Sequence, residues 1–159
     1  MATLHLMVGL PYSGKTTGDR ELAKAHHALR LTPDEWHIRL FGHDFGEGMD
    51  DAERTQHDDR HAVGESLMWE VAARVLVLAM DVVLDLGCWV KSQRDEFRSK
   101  AHDLGAGFKI HFTHALQDVW LERLKARNAH LPDCAFYILE TELKEWMQVF
   151  EPPTREELE

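Results

Sequence analysis

Eight residues, Gly9-Leu10-Pro11-Tyr12-Ser13-Gly14-Lys15-Thr16, have the types and spacing to grip a phosphate chain. They fit G-x-x-x-x-G-K-[ST], in which glycines let the backbone wrap until successive N–H groups point at phosphate oxygens. A helix opening at Lys15 adds a dipole that favours anions. Lys15 is then placed to reach the β- and γ-phosphates, the Thr16 hydroxyl to ligate Mg²⁺, and Thr17 to follow in the same turn. A second acid stands at the end of Asp81-Val82-Val83-Leu84-Asp85. A strand-end aspartate beside such a loop holds Mg²⁺ directly or through its waters, although a buried strand can also end in Asp at an ordinary turn. Leu86 follows, so no glutamate is there to polarise a hydrolytic water, and the chain has no Asn-Lys-x-Asp guanine reader. These features point away from motors and GTPases and toward a phosphotransferase using ATP and Mg²⁺.

The loop needs a strand before it and a helix after it. Thr3 to Val8 is a short apolar run ending in glycine, readable as a buried strand. A helix is expected from Lys15 to about His27, a short strand at Ala28 to Leu31, and a helix from Asp34 to Phe41. Asp51 to Met80 reads as mostly helical with a break near Gly64, and Asp81 to Leu86 as a strand. Ser92 is placed to cap the next helix, which Gly105 ends. Phe108 to Thr113 reads as a fourth strand and Ala115 to Asn128 as a helix. Beyond a loop at Pro132, Phe136, Leu139, Leu143, Trp146 and Met147 recur at helical spacing. Strands alternating with helices imply parallel βαβ units, hence an α/β, three-layer fold with both sheet faces covered.

The 159 residues are the size of one domain. The sequence carries 18 Lys plus Arg against 28 Asp plus Glu, a formal net charge of −10 with histidines neutral. Such an acidic chain lacks the field of a general nucleic-acid binder. Cys88 and Cys134 fit no metal or redox spacing, and no run is long and apolar enough for a signal peptide or a membrane span. A cytoplasmic protein is the expectation. His57 and His61 lie one helical turn apart and could share a zinc ion, or simply face solvent or substrate.

The ordered landmarks GLPYSGKTT, LTPDEWHIRLFG, VVLDLGCWVKSQRDEFR, WLERLKARN and FEPPTREE extend over nearly the whole chain. Together they resemble the small P-loop kinases of the AAA-domain type, related to the kinase domain of polynucleotide kinase and, more distantly, to chloramphenicol phosphotransferase and the zeta toxins. The resemblance implies a P-loop NTPase fold, with a short parallel sheet of four or five strands in adenylate-kinase-like order. It also implies a small helical lid, at about residues 124–135, within a single domain 1–159. In such kinases an aspartate after the second strand accepts the proton of the substrate hydroxyl, and Asp34 holds that place. Strand C-termini in an open α/β sheet converge on the ligand crevice, which agrees; Asp34 could instead cap the helix it begins. Glu35 is the neighbour most easily mistaken for the base.

The family's paired lid arginines correspond to Arg123 and Arg127, four apart on one helix face. The resemblance places Arg123 near the adenine and Arg127 at the phosphoryl group in transit; a solvated basic helix end is the other reading. Substrate contacts are expected from His37 and Arg39, where polynucleotide kinases carry an arginine, and from Lys91 and Arg94 in Trp89-Val90-Lys91-Ser92-Gln93-Arg94. Trp36 and Trp89 are expected to flank the crevice. The expected reaction moves the γ-phosphate of ATP to a hydroxyl of a small molecule such as a nucleoside, sugar or antibiotic, with Asp34 as base. The alternatives are a polynucleotide 5′-hydroxyl kinase and a non-catalytic ATP-binding protein that acts through lid closure.

Overall fold

Four strands form one parallel sheet in the order β2-β3-β1-β4. They are β1 (Thr3–Val8), β2 (Leu29–Leu31), β3 (Val82–Gly87) and β4 (Gly107–Phe112) in a computed structural model that describes residues 1–159. Between and after them run α1 (Lys15–His26), α2 (Pro33–Phe41), α3 (Asp51–Val77), α4 (Lys91–Asp103), α5 (Gln117–Ala129), α6 (Glu140–Val149) and α7 (Arg155–Leu158). This is the expected α/β P-loop fold. Parallel strands are covered on both faces, so β1 and β3 are almost continuously apolar.

Leu4, Leu6 and Val8 project from β1 into a core shared with Met68, Ala72 and Leu76 of α3 and Ala101 of α4. The intervening Met7 faces α1, where its Cε would lie 3.4 Å from a Cβ at Gly18. Around Leu10, a second cluster gathers Trp120 and Leu124 of α5, Ile138 and Leu143 of α6. The phosphate loop therefore sits where the sheet's core meets that of the last two long helices. No helix is long and apolar enough to cross a membrane.

Four local expectations need correction. Helix α3 runs unbroken through Gly64, because a full box at its start (Asp50 with Glu53, 2.8 and 2.9 Å) and burial of Met68, Ala72 and Leu76 outweigh the roughly 1 kcal/mol cost of glycine. Ser92 does not cap α4. The cap residue is Val90, and the Lys91 N–H is taken by Glu151 at 2.7 Å. Phe136 precedes α6 rather than joining its stripe, because Asn128 holds the Ile138 backbone (2.7 Å to its carbonyl) in an extended path. Of residues 124–135, expected to form a helical lid, 124–129 are the end of α5 and the rest carry no helix of their own.

Residues 150–159 are firmly attached. Arg94 is 1% exposed, and its guanidinium donates to Glu157 (2.7 and 3.3 Å) and to the Glu151 carbonyl (2.9 Å). The Arg94 hydrogen bond holds the Glu157 carboxyl down at about 2 against the opposing effect of burial. Losing either partner of such a pair costs about 3–5 kcal/mol, because the other is left as an uncompensated buried charge.

Candidate active site

The crevice opens where the strands end, at a loop whose shape depends on two glycines. A Cβ on Gly9 (φ +155°) would lie 2.6–2.7 Å from Thr113 Oγ1, Ser13 Oγ and the Thr113 carbonyl, so the wall beside it admits only hydrogen. Gly14 (φ +101°) sits in the left-handed region at the start of α1, a conformation that costs other residues strain. Ser13 Oγ donates to the Leu10 carbonyl at 2.7 Å and lies 2.8 Å from Thr113 Oγ1, tying the loop to the end of β4. A register irregularity between β1 and β3 brings Asp85 beside the loop, where it accepts from Lys15 Nζ at 3.0 Å. Lys15, Thr16, Thr17, Tyr12 and Gly14 line one lobe of about 580 Å³, with Arg123 and Arg127 opposite.

The two arginines clasp the loop from α5. Arg123 donates to the Tyr12 carbonyl at 3.0 Å, and the Arg127 guanidinium stands 5.5 Å from the centre of the Tyr12 ring. Burial pushes the Tyr12 hydroxyl up to about 12, with Arg127 opposing, so the ring is neutral. Arg127 Nε is buried with no hydrogen-bond partner. An orphaned donor on a cation facing a phosphate-sized space is a place for an anionic oxygen.

Asp34 lies in the first turn of α2, but the N-cap is Thr32 and no backbone N–H bonds to the Asp34 carboxylate. The carboxylate instead reaches α3, where Oδ1 lies 3.0 Å from His61 Nε2; the other ring nitrogen is 3.2 Å from Glu65. The Asp34 side chain is 55% exposed, open to the crevice rather than sealed. Crowding by the walls raises its carboxyl, but the hydrogen bond and charge of His61, with Lys15 and His57, outweigh this and hold it below the usual carboxylate value. On His61, desolvation pulls downward and the two carboxylates prevail, raising it to about 10. Glu35 is occupied elsewhere, accepting two hydrogen bonds from Arg30 (3.1 and 2.7 Å), which also donates to the buried Asp19.

Asp34, Lys15, Asp85, Thr32 and Pro11 line both this lobe and a second one of about 340 Å³. Phe45, Trp89, Phe136 and Trp146 supply the aromatic wall of the second lobe, and Asp58, His61 and Glu65 its polar wall.

The other residues expected at the substrate are placed differently. Arg94 is buried in its pairing with Glu157, and Lys91 pairs outward with Asp95. His37 turns away to bond Asp44 at 2.6 Å, Arg39 is exposed, and neither lines either lobe. Trp89 flanks the crevice and Trp36 does not. His57 bonds Asp44 at 2.7 Å while His61 serves Asp34 and Glu65, so the two rings are divided between different carboxylates and line the second lobe, the substrate-facing alternative to a shared zinc ion. The residue missed in the sequence is Glu65. Its signal was the four-residue step from His61 along one helix face.

Residues 4–153 match the model of the AAA domain family. The chain belongs to that family. Among solved structures, this AAA domain is similar to a presumptive kinase from Chloroflexus aurantiacus J-10-fl at 20% identity and a TM-score of 0.72, covering 91% of this chain and 74% of the other. It is also similar to a gluconokinase from Sinorhizobium meliloti 1021 (21%, TM-score 0.58, 98% and 77% covered). A third is Kti12 from Chaetomium thermophilum, solved with ADP-AlF3 (15%, TM-score 0.65, 95% and 81% covered). No curated protein matches the sequence. The domain is thus a P-loop, kinase-like one whose fold implies nucleotide binding.

On that basis, saturating MgATP at a hundredfold excess over Kd is expected to stabilise the protein by about 2.7 kcal/mol, read as a rise in Tm. Lys15→Ala is expected to remove most of the rise, measured against its own unliganded Tm, which loss of the Asp85 pairing lowers. Equal shifts in the two proteins would contradict the role of the loop.

Proposed function

We propose that the protein is an ATP- and Mg²⁺-dependent phosphotransferase acting on a hydroxyl of a small molecule, with Asp34 as the base. The observation that carries this reading is the position of Asp34 at the junction of the two lobes, free of any capping duty and ion-paired to His61. In the proposal, ATP lies along the larger lobe, with Lys15 and Arg127 on its phosphates and Arg123 toward its base. Thr16 and Asp85 have the hard oxygen donors that suit Mg²⁺, and they would hold it directly or through water. Mg²⁺ would neutralise charge shared between the β- and γ-phosphates. Asp34 would orient the acceptor hydroxyl in line and take its proton. Transfer through a loose transition state needs positioning more than a strong base, so a carboxylate held at low pKa suffices.

The charge balance of the smaller lobe bears on the acceptor. Lys15 and His61 are its cations, and each is already engaged by a carboxylate, Lys15 by Asp85 and His61 by Asp34 and Glu65, while the His57 ring is held by Asp44. A phosphate-bearing acceptor would meet no spare cation there, and the aromatic wall suits a small neutral or amine-bearing molecule. This favours a nucleoside, sugar or antibiotic over a polynucleotide.

The test is ADP formation from MgATP with a panel of hydroxyl compounds, amino sugars and nucleosides included, beside a 5′-hydroxyl oligonucleotide. Acceptor-dependent turnover with a small molecule is the expected result. Preference for the oligonucleotide would overturn the acceptor assignment, and no transfer to any acceptor would leave an ATP-binding protein that works by lid closure.

His61 gives a separate check. Its folded pKa is raised above the ordinary 6.5, so the stabilisation from its pairing is complete below that value and lost as pH rises through about 10. Asp34 is depressed, so its share is present above the ordinary carboxylate value and lost as pH falls through the lowered one. The His61 ring resonances are expected to stay imidazolium-like from pH 6 to 9 and to return toward ordinary titration in Asp34→Asn. A midpoint near 6.5 in the wild type would dissolve the pairing.

A further inference from the structure

We infer that His5, His26 and Asp81 form a binding site for a borderline transition-metal ion such as Zn²⁺, at the end of the strands opposite the crevice. His5 stands in β1, Asp81 immediately precedes β3, and His26 closes α1. The crevice follows the last residues of the same strands. His5 is buried, Asp81 half-buried and His26 exposed, which gives the cluster a wet side for entry. Its three ligand atoms lie within 4.8 Å of one another.

The distances separate this cluster from an ordinary hydrogen-bonded one. Tetrahedral ligands at 2.0–2.2 Å from an ion sit roughly 3.3–3.6 Å apart. Here Asp81 Oδ2 is 3.4 Å from His5 Nε2 and 3.7 Å from His26 Nδ1. Those separations are long for N–H···O bonds, which centre near 2.9–3.0 Å, and close to the spacing of atoms sharing a metal. The other histidine cluster differs. His37 and His57 both approach Asp44 Oδ1, at 2.6 and 2.7 Å, and Arg60 donates to Oδ2 at 3.1 Å. Three donors on one carboxylate, one of them a guanidinium, leave no position for a cation.

Supporting contacts orient two of the three ligands. His111 Nε2 lies 2.9 Å from His5 Nδ1. With Nδ1 as the donor, His5 keeps its Nε2 lone pair toward Asp81, the arrangement common in metal-bound histidines. The Thr3 N–H donates to Asp81 Oδ1 at 2.8 Å, leaving Oδ2 free to ligate. Lys109, the register partner of His5 on β4, adds an opposing charge but is exposed to solvent. Three protein ligands leave a fourth position for water. The ion would fasten the last turn of α1 to the sheet, and α1 carries Lys15 and Thr16 at its other end.

The experiment is calorimetric titration of the full chain with Zn²⁺, paralleled by the visible absorption of added Co²⁺, which reports a tetrahedral N/O site. One ion per chain is expected. His26→Ala alters an exposed side chain and is expected to fold normally, bind MgATP as before and lose at least about 10–100-fold in Zn²⁺ affinity. His111→Ala, which touches only the far nitrogen of His5, is expected to lose about 10–100-fold. Absence of Zn²⁺ binding by the wild type would overturn the site and leave a His111–His5–Asp81 hydrogen-bond chain. Undiminished binding in His26→Ala would also overturn it, most directly if His57→Ala abolished that binding. None of these outcomes depends on phosphotransfer.

Discussion

Asp34→Asn is expected to bind MgATP nearly as the wild type does and to transfer phosphate about 10²–10⁴-fold more slowly. Asparagine keeps the size of the side chain and an oxygen that can still accept from His61, so the α2–α3 contact survives. What it loses is the capacity to take a proton and the charge that holds His61 cationic. Thr32, rather than Asp34, occupies the N-cap, so the substitution does not remove a cap. Single-turnover transfer to the acceptor found in the panel, beside a nucleotide titration, separates the two effects. Full transfer by Asp34→Asn would remove the base role. Glu35→Gln should act differently, loosening the Arg30 pairing with a mild effect on turnover.

Arg127→Ala is expected to lower kcat by about 10²–10³-fold while changing ATP affinity far less. The side chain rests on Tyr12 with one buried donor unpartnered, so it is held in place before any phosphate arrives. A donor positioned in advance contributes most when charge develops on the group in transit. Arg123 is exposed and bonded to the loop backbone, so Arg123→Ala should weaken nucleotide binding more than turnover. Calorimetry and steady-state kinetics on both variants check the order, and the reverse order would exchange the two roles.

How far the sequence could be read depended on whether each interaction was local. The loop from Gly9 to Thr16 is contiguous, and its strand–turn–helix setting follows from the apolar run before it, so both motif and fold class were legible. So was the place of Asp34 at the crevice, because the end of a second strand in such a sheet faces it. Arg94 illustrates the opposite case. It sits in a motif that reads as substrate-facing, yet its partner Glu157 is 63 positions away and decides its fate. Composition and spacing carry no trace of a pairing across that distance. The histidines show the same limit. His57 and His61 share a helix face as their spacing predicts, but Asp44 and Asp34 come from other segments and divide them. His5, His26 and Asp81 are brought together only by the sheet.

The Arg94–Glu157 pair also sets a schedule for the nascent chain. At about 5–20 residues per second, the 63 positions between the two take the ribosome roughly 3–13 s to add. Through that interval the Arg94 guanidinium can reach only the nearby Cys88 and Trp89 carbonyls and has no carboxylate to balance its charge, so the first turn of α4 is held incompletely. The phosphate loop, α1 and β3 are already synthesised by then. The growing protein can therefore assemble its nucleotide-gripping half first and lock its far edge only when residue 157 arrives.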